Sequence, residues 1–224
     1  SNTMPLTTFQ VKIIAASLMV IDHLGFVLGN DLLRMVGRFS FPLFAWLLIL
    51  GEQHTENWQR YERRLLVMAV ISQPLYVAFR GNPNQANILF LLALALPCLR
   101  VTSQNRAGIT QFGVWLTAVM IAEVGSIEYG GYGILFIYLL VSFPKLLPYW
   151  SGWNALNRFA WITSYVSLHL LSFFSYPLQP LAGLIVLALP VLNQVNRVGW
   201  KARWFYWFYP LHFLPLLLLK KVIN

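Results

Sequence analysis

Apolar runs, each near the ~20 residues that cross a hydrocarbon core, follow one another along nearly the whole chain. No polar stretch between them is long enough to fold alone. This pattern leaves little choice of architecture. Inside a bilayer every backbone N–H and C=O must find its partner within the segment, so such runs fold as helices. Only 10% of the 224 residues are charged and 58% are hydrophobic, whereas soluble domains carry about 25% charged residues. The expectation is an all-α fold, a single polytopic transmembrane helical bundle over residues 1–224. About nine spanning helices are expected, near 9–29, 33–51, 62–80, 86–103, 108–125, 130–147, 155–175, 178–194 and 203–221. Residues 1–3, ahead of Met4, read as an expression remnant outside the domain.

The net charge of +9 would suggest nucleic acid on a soluble protein. Here the positive-inside rule accounts for it and no nucleic-acid partner is expected. With nine spans, Arg60, Arg63, Arg64, Arg100, Arg106, Lys145, Arg158, Arg197, Lys201 and Arg203 fall on one side. Arg34, Arg38, Arg80, Lys220 and Lys221 fall on the other, with Glu123 and Glu128. The richer side is read as cytoplasmic, which places the N-terminus inside. The single cysteine, Cys98, excludes an internal disulfide. No His/Cys/Asp/Glu cluster has metal-ligand spacing, so no metal is expected, and there is no phosphate-binding loop or nucleophile elbow. Pro42, Pro74, Pro97 and Pro210 lie within apolar runs and predict kinks or breaks.

Against this background the stretch from Lys12 to Trp46 stands out, because it holds Lys12, Asp22, His23, Asp31, Arg34 and Arg38. An ionisable group in hydrocarbon costs at least a few kcal/mol, so it usually faces protein or water and has work there. Lys12 and His23 are separated by about three turns plus about 20°, on one helix face and about 16 Å apart. His23 reads either as an interhelical hydrogen-bonding histidine or as a general base. Asp22 lies about 100° round from His23 and is placed to hold Arg34 or Arg38. Arg34 suits a helix-end anchor. Arg38 lies a turn deeper and needs an anionic partner.

Further along, SIEYGGYGILF sets Tyr129 and Tyr132 among glycines, as a tight turn or a ligand approach. Gln73 and Asn87 are single amides, suited to interhelical hydrogen bonds or a pocket. In WFYWFYPLHFLPLLLLKK, Tyr209 and His212 flank Pro210, and a broken helix would expose both to a cavity. His54 reads as a surface histidine, and His169 carries a weaker signal than His212.

These blocks together resemble a known family. IDHLG, LLRMVGRFSFPLFAWLLILG, ISQPLYVAF, ANILFLLALAL, EYGGYGILF and FYPLHFLPLLL are similar, in order and spacing, to the TraX family of pilin acetylases. More distantly they resemble the acyltransferase-three group, marked by Arg or Lys, ten residues, then His in the first helix. Lys12 to His23 fits that spacing. That group's arginine pair is usually RxxR, whereas Arg34 and Arg38 are RxxxR.

The resemblance implies acetyl transfer at a bacterial inner (cytoplasmic) membrane. The donor would be cytoplasmic acetyl-CoA. The acceptor would be the N-terminal amine of pilin or another membrane or extracytoplasmic amine or hydroxyl. His23 would be the catalytic base, with Asp22 and Arg38 beside it. Lys12, Arg34 and Arg38 would hold the donor. Tyr129, Tyr132, Tyr209, His212, Gln73 and Asn87 would line the substrate pocket. Two other classes fit the same buried polar groups: a proton-coupled transporter and a non-enzymatic pilus assembly subunit. No internal repeat of the transporter kind is visible in the sequence.

Overall fold

A computed structural model describes residues 6–104, 106–142, 155–192 and 204–223. Expected span ends at 143–147 and 193–194, the cations Lys145, Arg197, Lys201 and Arg203, and residues 1–3 lie outside these. Among the described residues the regular elements are helices, joined by turns, with an isolated bridge between Ala86 and Ile127. The chain forms two compact units, one of Ser1–Leu47 with Leu171–Asn224 and one of Leu48–Leu170.

In the first unit, α1 runs Thr8–Leu28. Thr7 and Gln10 close a capping box at its start, satisfying two orphan N–H groups. Gly29, in the left-handed region at φ 61, ends it, and Asn30 caps the short α2, Asp31–Gly37. Helix α3 then spans Ser40–His54. The expected second span, 33–51, is therefore two helices. The reason is Pro42. A helix continuous through Arg38 would need an N–H at residue 42 for the Arg38 carbonyl, and proline has none. The helix restarts instead, with Pro42 in its first turn, and Ser40 Oγ donates to the Ala15 carbonyl at 2.9 Å.

α1 and α2 form a hairpin with backbones in contact. A Cβ built at Gly37 would overlap the backbone of Asp22, and one at Gly25 would lie 2.8 Å from the Arg34 nitrogen. Gly37→Ala is expected to push α2 off α1 and cost about 1–3 kcal/mol. A melting temperature in detergent equal to wild type would contradict this close approach.

The same unit ends with a 3₁₀ helix, Gln179–Ala188, the four-residue α9, Leu189–Leu192, and α10, Trp204–Ile223. The eighth expected span, 178–194, is therefore mostly a 3₁₀ helix. Pro180 and Pro190 each remove a donor from an α-helical ladder there. His23 meets His212 and Phe26 meets Lys220, so α1 and α10 run in the same direction.

The second unit stacks α4 (Trp58–Arg80), α5 (Ile88–Ser103), α6 (Gly108–Val124), α7 (Gly130–Ser142) and the first part of α8 (Ala155–Ser175). Short loops make α4 to α7 successively antiparallel, and the contacts Tyr132–His169 and Leu139–Trp161 set α8 antiparallel to α7. Asn87 stitches α4 to α5, as its Nδ2 donates to the Ala69 carbonyl and to Gln73 Oε1, both at 2.8 Å. Its Oδ1 caps α5 through the Leu89 N–H. Glu123 accepts from the Gly131 N–H at 2.6 Å, placing a carboxylate at the start of α7. Arg60, Arg63, Arg64, Arg100, Arg106 and Arg158 gather at one end of this stack, and Arg80, Glu123 and Glu128 at the other.

α1 and the run Asp31–His54 are long and apolar enough to cross a membrane. α5, α6, α7 and the 3₁₀ helix are apolar but shorter. α6 carries its large apolar residues outward: Ile109, Phe112, Leu116, Met120 and Val124 are exposed, while Trp115, Ala118 and Ala122 are buried. On α8, Phe159, Ile162, Val166 and Phe173 do the same. Apolar stripes of that extent are rare on a monomer in water.

Candidate functional site

The buried face of α1 follows helical periodicity. Ala16, Met19 and His23 lie along it in phase with Lys12, which is half-buried one end of the helix away. His23 is 8% exposed. Its Nδ1 lies 2.9 Å from Nε2 of His212, also buried, with the two rings inclined by 12°. His212 Nδ1 in turn is hydrogen bonded to the main-chain carbonyl of Tyr209.

That carbonyl settles the protonation pattern of the neutral pair. An oxygen of this kind only accepts, so His212 Nδ1 carries the hydrogen. His212 Nε2 is then the bare nitrogen, and His23 Nδ1 must donate to it. His23 Nε2 is then the unprotonated nitrogen of its ring, the form a proton acceptor needs. Tyr209 serves this chain through its backbone, while its ring packs against His212 and Phe213.

Asp22 precedes His23 and faces the hairpin partner. Its Oδ1 accepts from Arg38 Nε at 3.1 Å and from Arg38 Nη2 at 2.5 Å. Arg34 Nη1 approaches Oδ2 at 3.8 Å. The glycine contacts of α1 with α2 make this possible, because they bring both arginines down onto one carboxylate. Arg38 is 8% exposed, and its Nη1 donates to Gln179 Oε1 at 3.2 Å. Two guanidiniums over one carboxylate leave this cluster, built on the residue next to His23 in the chain, with a net positive charge. Arg34 and Lys220 also lie over the Phe26 ring, at 5.5 and 6.0 Å from its centroid.

The first unit thus holds Lys12, Asp22, His23, Arg34, Arg38, Tyr209 and His212. Of these, Lys12 stands apart from the hydrogen-bonded cluster. Gln73, Asn87, Tyr129 and Tyr132 belong to the second unit. There Gln73 and Asn87 bond to each other and to backbone across α4 and α5. Tyr129 has φ 68, a left-handed conformation that costs a non-glycine residue about 1 kcal/mol or more. Its ring stacks on that of Tyr132. The Tyr132 hydroxyl lies 3.2 Å from Nδ1 of His169, which is buried edge-on against Tyr165 and Phe136.

Of the remaining participants, one carries a weak sequence signal and one escaped the sequence reading. His169 was weighed there as the weaker histidine. Gln179 was not singled out, although it is a lone amide in an apolar run, the criterion that drew attention to Gln73. Among the described residues no three His, Cys, Asp or Glu side chains converge in a way that would hold a metal ion.

Comparison with known proteins agrees with the blocks quoted earlier. The TraX protein family matches residues 8–220. A curated relative, "Probable fimbrial assembly protein FimC, serogroup H1" of Dichelobacter nodosus, is 31% identical over 162 residues. That alignment takes in 64% of this chain and 65% of the length of the relative. No solved structure matches the chain.

Proposed function

We propose, from the premise that the chain belongs to the TraX family, that it is a membrane-embedded acetyltransferase with a pilus-related role. It would move an acetyl group from cytoplasmic acetyl-CoA to the N-terminal amine of pilin or to a related amine or hydroxyl. The observation that supports this best is the chain from His23 through His212 to the Tyr209 carbonyl, which makes Nε2 the unprotonated nitrogen of a buried His23 ring.

In this reading Lys12, at the far end of the α1 face from His23, attracts the phosphates of CoA. The pantetheine arm lies along that face. The neutral acceptor nitrogen attacks the thioester carbonyl, and His23 Nε2 takes the proton it sheds. The tetrahedral intermediate collapses, the C–S bond breaks, and the imidazolium returns the proton to the thiolate. Products are the acetylated acceptor and CoA thiol. His212 keeps His23 in the correct tautomer and shares the transient positive charge. His212→Ala is expected to lower kcat about 10- to 100-fold, the usual loss when a partner that orients a functional histidine is removed. A wild-type kcat in that variant would remove His212 from the mechanism.

Membrane insertion is supported by α1, by the run Asp31–His54 and by the outward apolar stripes of α6 and α8. Parallel packing of α1 with α10 requires an odd number of crossings from the first to the last. In this reading the arginine-rich end of α4–α8 faces the cytoplasm, and the N-terminus is cytoplasmic. These features fit a multi-pass protein of the inner membrane.

The test is direct. Purified protein in lipid nanodiscs is given [¹⁴C]acetyl-CoA and extracted inner-membrane proteins. Label on an acceptor, identified by mass spectrometry, is expected. No transfer to any acceptor and no binding of acetyl-CoA would end the enzymatic reading. That outcome would favour a non-enzymatic pilus assembly subunit, which the name of the D. nodosus relative also suggests.

A further inference from the structure

We propose that the side-chain amide of Gln179 binds the carbonyl oxygen of the acyl group being transferred, an inference that rests on the acetyl-transfer reading. Gln179 is 2% exposed, and its Nε2 has no hydrogen-bond partner among the described residues. Buried polar atoms in folded proteins are almost always paired, so an orphan donor calls for a reason. The orientation of this amide is fixed. Arg38 Nη1 can only donate, so the atom facing it at 3.2 Å must be the carbonyl oxygen of Gln179. The NH₂ group therefore points away from Arg38, held there by a guanidinium that Asp22 itself anchors twice.

The resulting device is a rigid donor mounted on a buried ion pair. Asp22, one residue before His23, is its foundation, so the donor and the base share a support. What such a donor accepts is limited. An ammonium or a hydroxyl hydrogen cannot use it. A carbonyl oxygen can, and an oxyanion better still, since charge-assisted hydrogen bonds are the stronger kind. Of the groups in the reaction, the thioester carbonyl oxygen is the one that gains negative charge when the acceptor nitrogen adds to its carbon. Arg38 already directs Nε and Nη2 to Asp22 and Nη1 to Gln179. It acts here by polarising the amide and making its N–H groups better donors. Gln179 is thereby a catalytic residue, and Arg38 the residue that positions it.

Two substitutions separate this from a structural role. Gln179→Leu removes both ends of the amide. Gln179→Glu keeps an oxygen for Arg38 and exchanges the donor for a second carboxylate oxygen. Wild type and both variants are placed in nanodiscs. Acetyl transfer is followed, and the non-reactive ketone analogue acetonyl-CoA, ¹³C-labelled at the carbonyl, is bound for infrared difference spectroscopy. Both variants should lose about 10²- to 10³-fold in kcat, as when one oxyanion donor is removed, with KM for acetyl-CoA little changed. The bound carbonyl band should shift to lower frequency in wild type and return in both variants. If Gln179→Glu keeps wild-type kcat and the wild-type band shift, the amide only supports Arg38 and the proposal is overturned. If wild type transfers no acetyl but shows a band shift that depends on Gln179, the carbonyl site stands and the enzymatic reading falls. Failure of wild type to bind acetonyl-CoA removes both.

Discussion

Replacing His23 by alanine should lower acetyl transfer about 10²- to 10⁴-fold, the range that a positioned general base contributes. The loss should appear in kcat and hardly in KM, because the ring acts on the proton of the acceptor and not on the body of CoA. Folding should be little affected. The ring gives up its hydrogen bond to His212, and such a bond is worth about 1 kcal/mol net. Single-turnover transfer of [¹⁴C]acetyl from the donor to the acceptor, with melting temperature measured in parallel, checks both halves. A variant that melts like wild type and still transfers at more than about a tenth of the wild-type rate would sink the assignment of His23 as base.

The second large effect belongs to Asp22, and it should be one of stability. Asp22 neutralises Arg38, which is buried together with it, and is approached by Arg34. Asp22→Ala leaves that guanidinium buried without its counter-charge. Breaking a buried pair in this way typically costs about 3–5 kcal/mol. Asp22→Asn keeps acceptor oxygen for Arg38 and should lose less. Paired removal, Asp22→Ala with Arg38→Met, should recover part of the loss, since the stranded charge goes too. Thermal unfolding in detergent gives the order expected: wild type, then Asn, then the double variant, then Ala. Asp22→Ala melting within about 2 °C of wild type would show that the ion pair carries no stability.

Helical type, and much of α1, could be read from the chain because they depend on neighbours in sequence. The phase of Lys12 with His23 follows from one helix running through both, and α1 is that helix. The proximity of Asp22 to Arg34 and Arg38 was also within reach, as the pairing residues lie within one hairpin. The break after Gly37 was only half legible. Pro42 announced an interruption, yet its place depends on Ser40 finding the Ala15 carbonyl and on Gly37 settling against Asp22. The partner of His23 could not be read at all. His212 is 189 positions away, and no periodicity links the two. Gln179 was missed for a related reason: an amide in an apolar run says nothing until the guanidinium it faces is known.

The histidine chain ends on a peptide oxygen, and that has a consequence for heredity. Every amino acid that can occupy position 209 brings the same oxygen with it. The terminus of the relay is thus beyond the reach of ordinary codon changes there, and drift in the tyrosine side chain leaves it in place. A shift in the course of α10 past Tyr209 could take it away.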